Sequence, residues 1–127
     1  MNKIFSLSLF IFLSVLFVHS SYSQIEVFTA NDTNITVTAG EQFTISLESN
    51  PTTGYNWSVR IPEGGEKIMI ISSEYAKSKS GKIGEGGEQL WRFKTIGTGE
   101  VKLELSYIRP WKKKEPSKTL MFNVKVE

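Results

Sequence analysis

The side chains best suited to covalent or acid–base chemistry are almost absent from this sequence. The single histidine is His19, near the N-terminus, and there is no cysteine. From Gln24 onward the chain therefore offers neither imidazole nor thiol. Cys/His and Ser/His/Asp nucleophilic mechanisms cannot be assembled from it, nor can zinc sites of the common Cys/His kinds. Paired carboxylates would suffice for glycoside hydrolysis, but the glutamates fall on the polar faces of alternating segments and in turns, where carboxylates stay solvated. No catalytic residue, metal ligand or cofactor site is expected. What remains is recognition, and one stretch is built for it: Asn50-Pro51-Thr52-Thr53-Gly54-Tyr55-Asn56-Trp57. Pro51 fixes its own φ and keeps Asn50 out of the α region. The two threonines are stiff at χ1, and Gly54 can adopt the positive φ that a sharp bend needs.

Two strands must hold this stretch. Upstream, Phe43, Ile45 and Leu47 alternate with Thr44, Ser46 and Glu48; downstream, Trp57, Val59 and Ile61 alternate with Ser58 and Arg60. A period of two marks half-buried strands, so the stretch is a loop at the end of a sheet. The same alternation recurs at Ile35 and Val37, at Trp91 and Phe93, from Val101 through Leu103 and Leu105 to Tyr107, and from Leu120 through Phe122 and Val124 to Val126. Ile25 to Thr29 reads as a first strand. Ile68 to Ile71 is a continuous apolar run, expected for a strand covered on both faces or a link between sheets. Ser72 to Glu88 is polar and reads as one long loop. Gly97-Thr98-Gly99 makes a tight connection of hairpin type. No segment has a helical period. Seven to eight short strands separated by turn signals predict an all-β, immunoglobulin-like antiparallel β-sandwich, with Trp57 as its central core indole.

Length and composition agree with one domain preceded by a leader. Asn2 and Lys3, the apolar run Ile4 to Val18 and small residues at Ser21 and Ser23 have the order of a secretory signal peptide. Residues 1–23 are read as that peptide and 24–127 as the domain. The expected location is the secretory pathway, ending outside the cell or in an endosomal or lysosomal lumen, with no membrane attachment after cleavage. Secreted domains of this size usually carry disulfides; here the core must suffice, helped by 12% aromatic residues. A net charge of +2 is too close to balance for a nucleic-acid partner. Asn31, Asn34 and Asn56 fit the N-glycan acceptor pattern, whereas Pro51 disqualifies Asn50.

Two further segments join the first. Gly84-Glu85-Gly86-Gly87 lies inside the polar loop, and Arg109-Pro110-Trp111 follows the Tyr107 strand. Taken singly, each has a plain structural meaning. The glycines lack the Lys-Ser/Thr ending of a phosphate loop, and an arginine beside a tryptophan is a common surface stack. Lys112-Lys113-Lys114 reads as a solvated loop whose charge would speed encounter with an acidic surface.

In this order and on these strands, the three segments resemble the chagasin-type inhibitors of papain-like cysteine peptidases. That family shows an Asn-Pro-Thr-Thr-Gly-aromatic loop, a Gly-x-Gly-Gly loop and an Arg-Pro-Trp loop, matched here by Asn50–Tyr55, Gly84–Gly87 and Arg109–Trp111. The resemblance spans nearly all of residues 24–127 and implies a monomeric, reversible inhibitor of cathepsin L- and B-like peptidases. It implies that Thr52 and Thr53 sit beside the enzyme's catalytic cysteine and histidine. The glycine loop would run along the non-primed side, with Arg109 and Trp111 over the primed side. Family members often carry an apolar residue in the glycine loop; here Glu85 stands among the glycines and Ile83 just before them. The competing reading is a non-inhibitory adhesion or carbohydrate-binding module that stacks exposed tryptophans on its ligand.

Overall fold

The structure, a computed structural model, describes residues 24–82 and 84–127. The leader assigned to residues 1–23, and Ile83, lie outside the described residues. Eight strands follow one another: β1 (Glu26–Phe28), β2 (Asn34–Val37), β3 (Gln42–Ser49), β4 (Asn56–Glu63), β5 (Ile68–Lys77), β6 (Gly87–Thr95), β7 (Gly99–Ile108) and β8 (Lys118–Val126). They form two four-stranded sheets, β1-β3-β6-β5 and β2-β8-β7-β4. Three short 3-10 turns are the helical pieces among the described residues.

The alternating residues do what alternation predicts. Phe43, Ile45 and Leu47 of the first sheet meet Val101, Leu103, Leu105, Phe122 and Val124 of the second, and all are buried in one core. Phe43 stacks on Phe93 at 5.3 Å. Full burial of an aromatic or aliphatic side chain contributes roughly 1.5–3 kcal/mol. Phe43, Phe93 and Phe122 are all fully buried, so three large rings anchor a core that has no disulfide to support it.

Three details depart from the sequence expectation. First, the sandwich is not wholly antiparallel. β1 pairs parallel with β3 and β2 parallel with β8. After β1 the chain crosses to the other sheet at one end of the sandwich and returns after β2 at the other end. Each edge strand thereby runs in the same direction as its neighbour. Second, Gly97-Thr98-Gly99 is no hairpin: it carries the chain from β6 in one sheet to β7 in the other. Third, Ile68–Ile71 is not covered on both faces. Only Ile68 is buried, while Met69, Ile70 and Ile71 are nearly half exposed. The run opens β5, an edge strand, and a register shift between Ile70 and Ser72 turns Ile71 out of the pleat. β5 also continues through Ser72–Lys77, so the polar loop shrinks to residues 78–86.

The connections after β1, β3, β5 and β7 all lie at the end of the sandwich where Ser49 meets Gly87 and Tyr107 meets Lys118. That is the loop end. Phe93→Ala should cost about 3–5 kcal/mol, the range for emptying a large core aromatic site; urea denaturation of the purified domain measures it. A midpoint unchanged from the parent would remove Phe93 from the core.

Candidate functional site

The loop after β3 is shaped by Asn50. Its backbone is extended, and Pro51 starts a 3-10 turn over Pro51–Thr53 that Gly54 closes at φ +82°. The Asn50 carboxamide oxygen accepts from the Thr52 N–H at 3.2 Å and from the Thr52 hydroxyl at 2.5 Å. The Asn50 carbonyl accepts from the Thr53 N–H at 3.1 Å and the Thr53 hydroxyl at 2.7 Å. The Pro51 carbonyl accepts from the Gly54 N–H at 3.0 Å. Both threonine hydroxyls are thus occupied within the loop. The tip is held by its own hydrogen bonds and presents a firm, exposed surface.

Asn50 also ties this loop to its neighbours. Its side-chain NH2 donates to the Gly84 carbonyl at 3.1 Å, and its backbone N–H donates to the Tyr107 hydroxyl at 2.8 Å. The glycine loop is wedged between strand ends. A Cβ on Gly86 would lie 2.8 Å from the Ser49 carbonyl oxygen, and one on Gly87 only 2.0 Å from that of Ala76. Gly87 is the first residue of β6, flanked by Ser49 on one side and Lys77 on the other. These two glycines are required by the chain's own packing. Gly84, at φ +81° with open space where its side chain would be, lies on the accessible part of the loop.

The third segment joins through aromatic surface. Trp57, buried in the core, stacks on Tyr107 at 4.9 Å, and Tyr107 stacks on Tyr55 at 5.1 Å. The Arg109 guanidinium lies 4.4 Å above the Tyr55 ring and 5.9 Å from that of Trp111. The Trp111 indole edge covers Gly54, where a Cβ would meet it at 2.8 Å. Trp111 remains 67% exposed on a 3-10 turn begun by Pro110. A continuous stack therefore runs from core to tip. Its base is held by the Trp57 indole N–H, which donates to the Glu48 carbonyl at 2.8 Å. The Trp57 backbone N–H donates to Gln89, and Gln89 donates to Ser73.

The structure thus brings all three predicted segments together, Asn50–Tyr55 against Gly84–Gly87 on one side and Arg109–Trp111 on the other. Sequence reasoning missed Tyr107 and Gln89 as parts of this site. Tyr107 was legible only as an inward strand residue, although a half-buried tyrosine needs a partner for its hydroxyl. Among the described residues no group of three or more His, Cys, Asp or Glu side chains converges.

Charge is unevenly placed around the site. The ion pairs Arg60–Glu104, Lys67–Glu66, Lys102–Glu63 and Lys125–Glu127 all involve residues away from the loop end. At the loop end, Lys77, Lys79 and Lys118 line an open groove of about 1120 Å³ together with Asn50, Gly86, Gly87, Glu48 and Glu88, and exposed Lys112, Lys113 and Lys114 follow Trp111. None of these six lysines is in an ion pair among the described residues.

The sequence model of the Chagasin family peptidase inhibitor I42 matches residues 36–126, all three loops included. The chain belongs to the chagasin family. Among individual relatives, it is 36% identical over 98 residues to Amoebiasin-1 of Entamoeba histolytica, covering 76% of this chain and 93% of that protein. It is 33% identical over 87 residues to Chagasin of Trypanosoma cruzi, covering 64% of this chain and 76% of that protein. The crystal structure of a cysteine protease inhibitor from Entamoeba histolytica superposes with a TM-score of 0.70 at 25% identity, over 81% of this chain and 96% of that one.

Within this chagasin-family site, Tyr107→Phe should leave the sandwich folded but strip the Asn50 N–H of its acceptor. A loss of about 1–3 kcal/mol is expected for an orphaned buried donor, with faster hydrogen exchange at the Asn50 amide. An amide that exchanges as slowly as in the parent would show that the hydroxyl holds nothing.

Proposed function

We propose that the protein is a reversible inhibitor of papain-like cysteine peptidases, and that the ridge formed by its three loops plugs the enzyme's cleft. The observation that carries this is the bonding of the loops to one another. Asn50 bridges the first to the second, and the Tyr55–Arg109–Trp111 stack joins the first to the third. A surface ordered before docking loses little entropy on binding. A protease–inhibitor contact of the usual size, about 1,600 Å², can then be tight.

On this reading the Pro51–Thr53 turn occupies the catalytic centre, the Gly84–Gly87 loop the non-primed side, and Arg109 with Trp111 the primed side. The turn explains why the inhibitor survives. Attack by a thiolate needs a carbonyl in reach and in line, and its oxyanion must be received by fixed donors. The Asn50 and Pro51 carbonyls are instead turned inward to the Thr53 and Gly54 N–H groups. Main-chain contact along the glycine loop asks for no particular enzyme side chain, which supports a broad range of targets within the peptidase family. The carbohydrate-binding alternative called for several exposed tryptophans; among the described residues Trp57 is buried, Trp91 half-buried and only Trp111 exposed. The order of charge and apolar residues in 1–23 supports a secretory leader, and with it a site of action outside the cell or in an endosomal or lysosomal lumen.

Titrating papain with the purified domain should abolish activity at a stoichiometric end point; activity that persists at large excess refutes the assignment. Trp111→Ala, folded, should weaken inhibition by about 2 kcal/mol or more, the scale of an interface hot spot, or roughly 30-fold in the inhibition constant. Asn56 is exposed beside Tyr55, and a glycan there would obstruct docking. Mass spectrometry of active inhibitor should find Asn56 bare, and an occupied Asn56 in fully active protein would contradict this placement of the cleft.

A further inference from the structure

We infer that six lysines of the loop end, Lys77, Lys79, Lys112, Lys113, Lys114 and Lys118, are a selectivity surface, matching the inhibitor to peptidases whose cleft is rimmed by carboxylates. This rests on the inhibitory reading above and adds to it the chemistry of the partner.

The lysines stand in two banks. Lys77, Lys79 and Lys118 line the groove beside Asn50 and Gly86, where Glu48 and Glu88 also lie. Lys112, Lys113 and Lys114 follow Trp111 on its turn. Lys77 and Lys79 adjoin the glycine loop, and Lys112, Lys113 and Lys114 the third loop; these two loops are bonded to the first, so seating the ridge in a cleft brings lysines toward both walls. All six are exposed, and among the described residues none is in an ion pair, unlike Lys67, Lys102 and Lys125; Glu48 and Glu88 in the groove and Glu115 after Lys114 offset only part of their charge. Charges act over about 8 Å at physiological ionic strength. The two banks therefore reach the wall of a docked enzyme, while the paired lysines at the other end do not. Against a basic wall, like-charge contact would oppose docking; against an acidic one the lysines steer encounter and raise the association rate by about 10 to 1,000-fold. The main-chain contacts inside the cleft discriminate little between enzymes, which leaves the rim to do so.

The test measures association and dissociation rate constants by stopped flow against two papain-like peptidases, one with an acidic cleft rim and one with a basic rim. Ionic strength is varied for the parent chain and two charge reversals, Lys112→Glu/Lys113→Glu/Lys114→Glu and Lys77→Glu/Lys79→Glu/Lys118→Glu. Toward the acidic enzyme, the parent's association should slow steeply as salt is added. Each reversal should slow it at least tenfold at low salt, converge on the parent at high salt, and leave dissociation within about twofold, as expected for rim charges. Toward the basic enzyme the reversals should speed association. Rates indifferent to both salt and charge reversal, with inhibition intact, overturn this inference and leave the inhibitory function standing. A parent that inhibits neither enzyme refutes the inhibitory reading itself. Retention of the parent on a sulfated polysaccharide, combined with salt-independent rates toward both enzymes, would assign the lysines to a polyanion and likewise overturn the inference.

Discussion

The ring of Tyr107 is the joint between core and ridge. One face rests on Trp57, which is buried, and the other on Tyr55, which belongs to the first loop. Its hydroxyl accepts the Asn50 N–H, and two residues further on, just past the end of the same strand, stands Arg109. A single side chain thus fixes the first loop by stacking and by hydrogen bonding, and sets where the third begins. Offset aromatic contacts add roughly 0.5–1.5 kcal/mol each beyond the area they bury. Such sums are small against a folding free energy, but they are large for a loop, whose order is otherwise lost to conformational entropy at about 1–2 kcal/mol per residue. Without such a joint the ridge would have to be ordered at the moment of binding, at the expense of affinity.

The division of labour among the glycines follows from the same economy of space. Gly54 lies beneath Trp111, and Gly86 and Gly87 lie against the carbonyls of Ser49 and Ala76. A methyl group at any of them would push the loops apart. The glycine-rich composition of the site therefore serves the inhibitor's own packing before it serves contact with an enzyme. Gly84 is different, since nothing of the chain fills the space beside it.

Much of the sandwich was legible because alternation is a local signal. Phe43 to Leu47, Val101 to Tyr107 and Leu120 to Val126 each state which face is buried, and the core contains those residues. Ile68–Ile71 was misread because its exposure depends on β5 being an edge strand with a bulge, a fact about neighbours rather than about the run itself. The crossover at Gly97–Gly99 was missed for a similar reason: a tight turn does not say whether it joins strands of one sheet or of two. At the site, the three loops could be picked out from their unusual residues. The hydrogen bonds of Asn50 to Gly84 and Tyr107 could not, because those partners are far apart along the chain and meet only through sheet pairing. The sequence likewise shows lysines 77, 79 and 118 as unrelated charges; the groove makes them neighbours.

The parallel pairing of β2 with β8 bears on how the molecule is made. β8 lies between β2 and β7, and it comes last in chain order among the described strands. Until then β2, one of the earliest, has no hydrogen-bonding neighbour, and the second sheet has a gap at its centre. Contacts that join distant parts of a chain form slowly and leave apolar surface uncovered meanwhile. The first sheet can close once β6 is made, whereas the second stays open until β8 enters between β2 and β7.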